Sequence, residues 1–120
     1  MCNNEQLTYI TERIATLAKS LFGDKLDSTV LYGSYARGEQ TEESDIDIMV
    51  LAKVPREQIS GFKKPFISLT SELGLQYDVV VTVTLCDCET FYKYMNDNPF
   101  YTNVNKDGIK FNWLKLDNRK

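Results

Sequence analysis

The chain has 120 residues, of which 42% are hydrophobic and 26% charged, proportions that exclude a disordered chain and predict one globular domain over residues 1–120. A net charge of −3 excludes broad nucleic-acid binding, because neutralising phosphates requires clustered lysines and arginines. No apolar run approaches the roughly 20 residues that cross a bilayer, and the N-terminus has no basic and apolar signal pattern, so we expect a cytoplasmic protein without membrane contact.

The lack of histidine and the odd number of cysteines limit the possible chemistry. Three cysteines are poor material for a disulfide framework, and no histidine is present to complete a mixed zinc site. We therefore expect reduced cysteines. Without imidazole, histidine-based catalysis is excluded within this chain, and any chemistry must use carboxylates and metal.

The first half of the chain predicts one helix and two strands. Residues 5–22 carry apolar side chains at three- and four-residue steps, which predicts an amphipathic helix that ends at Gly23. Residues 29–32 are β-branched, aliphatic or aromatic and predict a buried strand that ends at Gly33. A second strand is predicted over residues 45–52, where acidic and apolar residues alternate before the pattern becomes wholly apolar.

A helical region is predicted over residues 55–73, broken into two pieces by Gly61 and Pro65 and stopped by Gly74. A third strand over residues 76–85 follows, because this segment is rich in valine and threonine.

The last part of the chain predicts a helix over residues 87–96, a short helical turn over 99–104, an edge strand over 109–113 and a frayed tail over 116–120. The resulting order α-β-β-α-β-α-β predicts an α/β (α+β) fold, in which helices pack on one small mixed sheet.

The dipeptide Gly33-Ser34 follows the first predicted strand and precedes a short predicted helix. Unpaired amides at a helix start favour an anion, glycine permits close approach of the backbone, and the Ser34 hydroxyl can donate to a phosphate oxygen. Taken alone, the dipeptide is more often an ordinary turn.

Asp45 and Asp47 are alternate residues of the second predicted strand, so both carboxylates share one face with their Cα atoms about 6.5–7 Å apart. Such a pair needs water or a cation, and Mg²⁺ accepts carboxylate oxygens together with substrate phosphates. A calcium loop of the EF-hand type is excluded, because Val50 stands where that loop has glycine. Two solvated acids on an exposed strand face remain the alternative for this pair taken alone.

Asp78 is the only charge in the third predicted strand, and a carboxylate buried there needs a partner. If the second and third strands are neighbours, Asp78 lies beside Asp45 and Asp47. A triad of this kind could hold two Mg²⁺ ions, activate an attacking hydroxyl and stabilise a pyrophosphate leaving group. Asp78 would then be a metal ligand or the general base.

Gly33-Ser34, ten residues and Asp45-Ile46-Asp47 match the signature G-S-x10-D-x-D, and the string GSYARGEQTEESDIDIMV resembles the minimal, MNT-type branch of the DNA polymerase beta-like nucleotidyltransferases. The resemblance implies a mixed α/β nucleotidyltransferase fold, magnesium, and transfer of a nucleoside monophosphate, usually from ATP, to a hydroxyl. By position, it assigns the nucleotide to Gly33, Ser34, Arg37, Gly38 and Ser44, and the metals and catalysis to Asp45, Asp47 and Asp78.

Three activities are compatible with this resemblance. The first is modification of a protein by an MNT-type antitoxin, as in relatives that pair with helical HEPN-domain toxins. The second is transfer to a small molecule, as in aminoglycoside nucleotidyltransferases, which use an additional helical domain for which this chain has no room. The third is an inactive nucleotide-binding module, for which a missing acid would be expected. We favour the first and expect a helical HEPN-type partner.

Overall fold

The computed structural model describes residues 3–111, which form five α-helices and four strands. The helices are α1 (Asn4–Phe22), α2 (Ser34–Arg37), α3 (Lys63–Tyr77), α4 (Cys88–Tyr94) and α5 (Pro99–Asp107), and 3₁₀ segments occupy Gly23–Lys25 and Arg56–Phe62. The strands are β1 (Leu26–Tyr32), β2 (Ile46–Ala52), β3 (Val81–Asp87) and β4 (Ile109–Phe111). None of these helices combines the length and the apolar character that a bilayer-spanning segment requires.

The strands form one mixed sheet in the order β3-β2-β1-β4. β2 and β3 are parallel, whereas β1 is antiparallel to both β2 and β4. Asp47 pairs with Tyr32 on β1 and with Thr82 on β3. The end of β1 and the starts of β2 and β3 therefore meet at one edge of the sheet, which we call the Asp47 edge. The predicted mixed α/β architecture is confirmed.

The helices α1 and α3 cover one face of the sheet. Asn3 caps α1, because its side chain accepts a hydrogen bond from the Gln6 amide at 2.8 Å and the Gln6 side chain accepts one from the Asn3 amide at 3.1 Å. The apolar positions of α1 and α3 are buried against the strands, in a cluster that includes Ile10, Ile14, Ala18, Ile46, Ile48, Phe66 and Leu73. The helix predicted over residues 5–22 is confirmed.

The helices α4 and α5 cover the opposite face, where Met49 and Leu51 pack against Phe91 and Val104. Asp87 is nearly fully buried and caps α4 by accepting a hydrogen bond from the Thr90 amide at 2.9 Å. α5 extends three residues beyond the predicted helical turn and ends where the Gly108 amide donates to the Val104 carbonyl. Residues 112 and 113 of the predicted last strand, and the predicted tail over 116–120, lie outside the described residues.

The prediction for the middle helix is partly wrong. The region is helical in two pieces, but the 3₁₀ segment Arg56–Phe62 passes directly into α3 at Lys63, with no break between them. Pro65, however, does not break α3, because it lies in the first turn, where the missing amide removes no intrahelical hydrogen bond. Gly74 does not stop α3 either, since the helix continues to Tyr77.

The prediction of a strand from residue 76 is also wrong, because β3 begins only at Val81. The amides of Asp78 and Val79 both donate to the Gly74 carbonyl, which wraps the chain around the end of α3. A Cβ on Gly74 would lie 2.8 Å from the Val79 carbonyl oxygen, so this wrap requires glycine. Asp78 adopts a left-handed conformation with φ 55° and is exposed. It is therefore not a buried charge within a strand.

Candidate nucleotide and metal site

Gly33 forms a sharp turn directly after β1, with φ 79° and ψ −158°. Its carbonyl accepts hydrogen bonds from the amides of Ala36 and Arg37 at 3.1 and 3.2 Å, which starts α2. A Cβ at this position would lie 2.5 Å from Oδ2 of Asp47. The positive φ therefore favours glycine, and a Cβ here would force the Asp47 carboxylate to move.

Asp47 is half-buried and lies between Tyr32 and Thr82 in the sheet register. Burial, followed by the charge of Asp45, raises the pKa of the Asp47 carboxyl above its ordinary value, and the Arg37 charge offsets part of this effect. The ionised form of Asp47 is thus less stable here than in water. A bound cation would reverse this penalty.

Asp45 is exposed and immediately precedes β2, two residues from Asp47. The Asp45 charge acts on the Asp47 carboxyl, as their common position on the Asp47 edge implies. Together they offer oxygen ligands, which Mg²⁺ prefers, and Asp45 is open to solvent on the side where phosphates and water would complete the coordination. The pair therefore fits the magnesium that the sequence predicts.

Asp78 lies at the Asp47 edge, but the structure does not bring it into a group with Asp45 and Asp47. The Ile46 amide donates to the Val80 carbonyl at 2.8 Å, which places Asp78 two residues before the first contact between β2 and the chain leading into β3. Within residues 3–111, no three acidic, cysteine or histidine side chains are arranged to hold one metal ion. The role predicted for Asp78 remains a prediction.

The predicted phosphate residues Ser34, Arg37 and Gly38 belong to the short segment that follows Gly33. Ser34 begins α2, and Gly38 ends it with φ 72°, its amide donating to the Ser34 carbonyl. Arg37 is partly exposed, donates from Nε to Oε1 of Glu39 at 2.9 Å, and lies close enough to Asp47 to influence its pKa. The turn, a hydroxyl and a cation are thus close to the carboxylate pair.

Ser44 holds the loop that leads into β2. Its hydroxyl accepts a hydrogen bond from the Thr41 amide at 2.9 Å, and its amide donates to the Thr41 carbonyl at 3.1 Å. These bonds close a turn immediately before Asp45. The structure therefore shows Ser44 positioning Asp45, and its predicted contact with the nucleotide remains a prediction.

The sequence analysis did not identify Tyr32 and Thr82, which flank Asp47 on the same face of the sheet. The Tyr32 hydroxyl lies 3.5 Å from that of Thr84, and its ring packs edge-to-face on Phe100 with ring centroids 5.6 Å apart. Burial, more than the nearby Asp47, raises the pKa of Tyr32, so the phenol stays neutral at physiological pH. The alternation of residues within one strand does not predict which residues pair across strands. The pairing of β2 with β1 and with β3 identifies Tyr32 and Thr82 as the neighbours of Asp47.

Comparisons with known proteins identify relatives of this chain. A protein of Methanocaldococcus jannaschii named "Putative protein adenylyltransferase MJ0604" is 37% identical over 90 residues, covering 75% of this chain and 82% of the relative. A second protein of that organism, "Putative protein adenylyltransferase MJ0141", is 34% identical over 97 residues, covering 81% of this chain and 86% of the relative.

A crystal structure of a toxin-antitoxin with AMP-PNP aligns with 97% of this chain and 78% of its own chain, at 20% identity and a TM-score of 0.48. The family model for the nucleotidyltransferase domain matches residues 11–115, which include the Gly33 turn and all three acids. The chain therefore belongs to the nucleotidyltransferase domain family.

Proposed function

We propose that this chain transfers AMP from ATP to a hydroxyl of a protein partner, with Mg²⁺ as cofactor. The observation that carries the proposal is the close approach of the Gly33 turn to the Asp47 carboxylate, which a Cβ on residue 33 would displace. A phosphate held by the turn would lie directly beside a metal held by the carboxylate. The two Methanocaldococcus jannaschii relatives, named as candidate protein adenylyltransferases, support a protein acceptor.

Asp45 and Asp47 would hold the metal, and Asp78 would join them as a third ligand or as the general base. Two Mg²⁺ ions bound there would neutralise phosphate charge and stabilise the pyrophosphate leaving group. The Gly33 and Ser34 amides and the Ser34 hydroxyl would bind the triphosphate, with Arg37 as the nearby cation. Gly38 and Ser44 would shape the two ends of the loop around the nucleotide.

The transfer itself is a displacement at the α-phosphorus of ATP. The acceptor oxygen forms a bond to this phosphorus, the bond from the α-phosphorus to the bridging oxygen breaks, and pyrophosphate leaves. The hydroxyl proton passes to a carboxylate, for which we propose Asp78, because it is exposed at the Asp47 edge and can approach an incoming acceptor.

The protein partner we propose is a helical HEPN-type protein, with this chain as its antitoxin, and a cytoplasmic location agrees with ATP as the donor. The resemblance of the string from Gly33 to Val50 to the MNT-type branch supports this choice.

A transfer assay tests the proposal. The chain is incubated with Mg²⁺, α-labelled ATP and the product of the adjacent gene, and the wild type is compared with the double variant Asp45→Asn, Asp47→Asn. We expect label on the partner with the wild type and a loss of about 100-fold or more with the variant, because metal-binding carboxylates are needed for the chemical step.

The matched control is the double variant Glu42→Gln, Glu43→Gln, which removes the same charge from the preceding exposed loop and should retain transfer. Equal transfer by wild type and Asp45→Asn, Asp47→Asn would contradict the proposal. Label on a small molecule instead of the partner would favour the small-molecule activity, and ATP binding without any transfer would favour the inactive module.

A further inference from the structure

A groove of about 270 Å³ lies along β3, lined by Lys63, Ile67 and Thr70 of α3 and by residues 83–85 of β3. β3 is the last strand of the sheet, so within residues 3–111 its outer edge pairs with no other strand. Consecutive side chains of a strand point to opposite faces. One groove can therefore contact three consecutive residues only at the open edge of the strand.

The backbone of β3 offers hydrogen-bonding groups to this groove. The Val80 carbonyl accepts from the Ile46 amide, so Val80 turns its backbone groups towards β2. In a strand the amide and carbonyl of one residue point to the same side, and this side alternates along the chain. Val83 and Leu85 therefore direct their amides and carbonyls outwards, into the groove. An extended chain is the ligand that satisfies such an edge.

The side chains of the groove specify the chemistry of that extended chain. Ile67 is 61% exposed despite its aliphatic side chain and lies opposite Val83 and Leu85 across the groove. Lys63 is exposed, and neither ion pair found within residues 3–111 involves it. An aliphatic side chain and an acidic side chain would complement these two positions.

The groove lies on the outer side of β3 and begins one residue beyond Thr82, the β3 residue that pairs with Asp47. With a rise of about 3.3 Å per residue, residues 83–85 lie roughly 3–10 Å along β3 from Thr82. α3 runs into β3 through a tight turn, so its first residue, Lys63, lies towards the far end of β3. A segment added at the outer edge of β3 lies two strand spacings, about 10 Å, from β2. Its residue opposite Thr82 shares the face of Asp47, so a long side chain there points towards the carboxylate across Thr82, while another residue of the segment lies near Lys63.

We propose that this groove, the β3-edge groove, binds an extended segment of the protein acceptor as an added strand. The segment places an aliphatic side chain against Ile67 and an acidic side chain at Lys63, three or four residues from the hydroxyl that receives AMP. This proposal rests on the proposed function and adds to it the mode of acceptor docking.

A peptide-transfer experiment tests the charge preference. A library of synthetic peptides, each with one central tyrosine, serine or threonine among β-branched residues, is incubated with Mg²⁺, labelled ATP and the chain. The wild type should label peptides with an acidic residue three or four positions from the hydroxyl about tenfold better than peptides with lysine there. Lys63→Glu should reverse this preference, whereas Lys64→Glu, which alters an exposed neighbour outside the groove, should not.

A second pair of variants tests the apolar contact. Ile67→Asp should lower peptide labelling about tenfold. Leu75→Asp should change it less than twofold, because Leu75 is 88% exposed on the same helix but does not line the groove. ATP binding should be unchanged in all four variants, which separates docking from nucleotide handling.

Hydrogen exchange measured with the acidic peptide separates docking from activity. Slower exchange at the Val83 and Leu85 amides supports strand addition at this edge even if no peptide is labelled. That outcome counts against AMP transfer to the bound segment, and so against the proposed function, but not against binding at the groove. Labelling without charge preference, or no protection of these amides, overturns the groove proposal. Protection that grows with protein concentration in the absence of peptide also overturns it, because a second copy of the chain would then occupy the edge.

Discussion

At Gly33 the backbone passes so close to the Asp47 side chain that a Cβ on residue 33 would displace the carboxylate. This close approach joins a positive-φ turn, which glycine adopts without strain, to a half-buried acid whose ionised form is unfavourable. Both become useful if an anion binds at the turn and a cation binds at the acid, because each ligand then offsets the charge of the other. The spacing of Gly33, Asp45 and Asp47 was predictable from the sequence, but the contact between Gly33 and Asp47 was not, because it depends on the register of β1 against β2.

Replacing the Asp47 carboxylate should stabilise the metal-free protein in a pH-dependent way. The folded state raises the pKa of the Asp47 carboxyl, so it binds this proton more tightly than the unfolded state does. The free energy of unfolding therefore falls as the pH rises from the unfolded pKa of Asp47 through its folded pKa. Asp47→Asn removes the cost of ionisation. We expect its Tm to exceed that of the wild type at pH 7 and the difference to shrink as the pH falls towards about 4.

Thermal unfolding at several pH values measures this difference, with Glu43→Gln in the exposed loop as the control. Addition of Mg²⁺ should raise the Tm of the wild type and leave Asp47→Asn unchanged. A variant that is less stable than the wild type at pH 7 without metal would contradict the account of Asp47.

The end of α3 is the element whose boundary the sequence misrepresents. The run from Tyr77 to Val81 is β-branched or aromatic around Asp78 and indicates a strand. The buried positions Phe66, Leu69 and Leu73 nevertheless extend the helical pattern, and Gly74 accepts the two amides that close the last turn. Local propensity was overridden by packing of α3 on the sheet, which a single sequence does not reveal.

The conformation of Asp78 yields a prediction that separates stability from activity. Asp78 is the only non-glycine residue with positive φ within residues 3–111, and glycine adopts this conformation without a steric penalty. We expect Asp78→Gly to raise the free energy of unfolding by about 0.5–1 kcal/mol. If Asp78 is a ligand or base, the same change should abolish AMP transfer.

Urea denaturation and the transfer assay measure the two effects on the same preparations. Asp78→Asn is the control, because asparagine tolerates the left-handed conformation but lacks the charge, and it should lose transfer at unchanged stability. AMP transfer retained by both variants would show that Asp78 is not a catalytic group. A lower free energy of unfolding for Asp78→Gly would contradict the claim that the left-handed conformation strains Asp78.

Over the whole molecule, the strand order β3-β2-β1-β4 brings the functional segments together. β2 is central, so the acids at its start have the Gly33 turn on one side and the start of β3 on the other. The composition and the alternation of helices and strands predicted a mixed sheet, whereas the order and direction of its strands follow from tertiary packing. The same order leaves the outer edge of β3 unpaired within residues 3–111, and the β3-edge groove lies along this edge.

The central claim is that the Gly33 turn and the carboxylate pair together hold magnesium-bound triphosphate, and calorimetric titration of ATP with Mg²⁺ tests it most directly. Gly61→Ala is the matched control for Gly33→Ala, since a Cβ on Gly61 would meet no atom within 4 Å. We predict that ATP binds to the wild type and to Gly61→Ala with equal affinity, and that binding weakens at least about 30-fold, or ~2 kcal/mol, in Gly33→Ala and when EDTA replaces Mg²⁺. Equal ATP affinity of Gly33→Ala and the wild type in the presence of Mg²⁺ would contradict the claim.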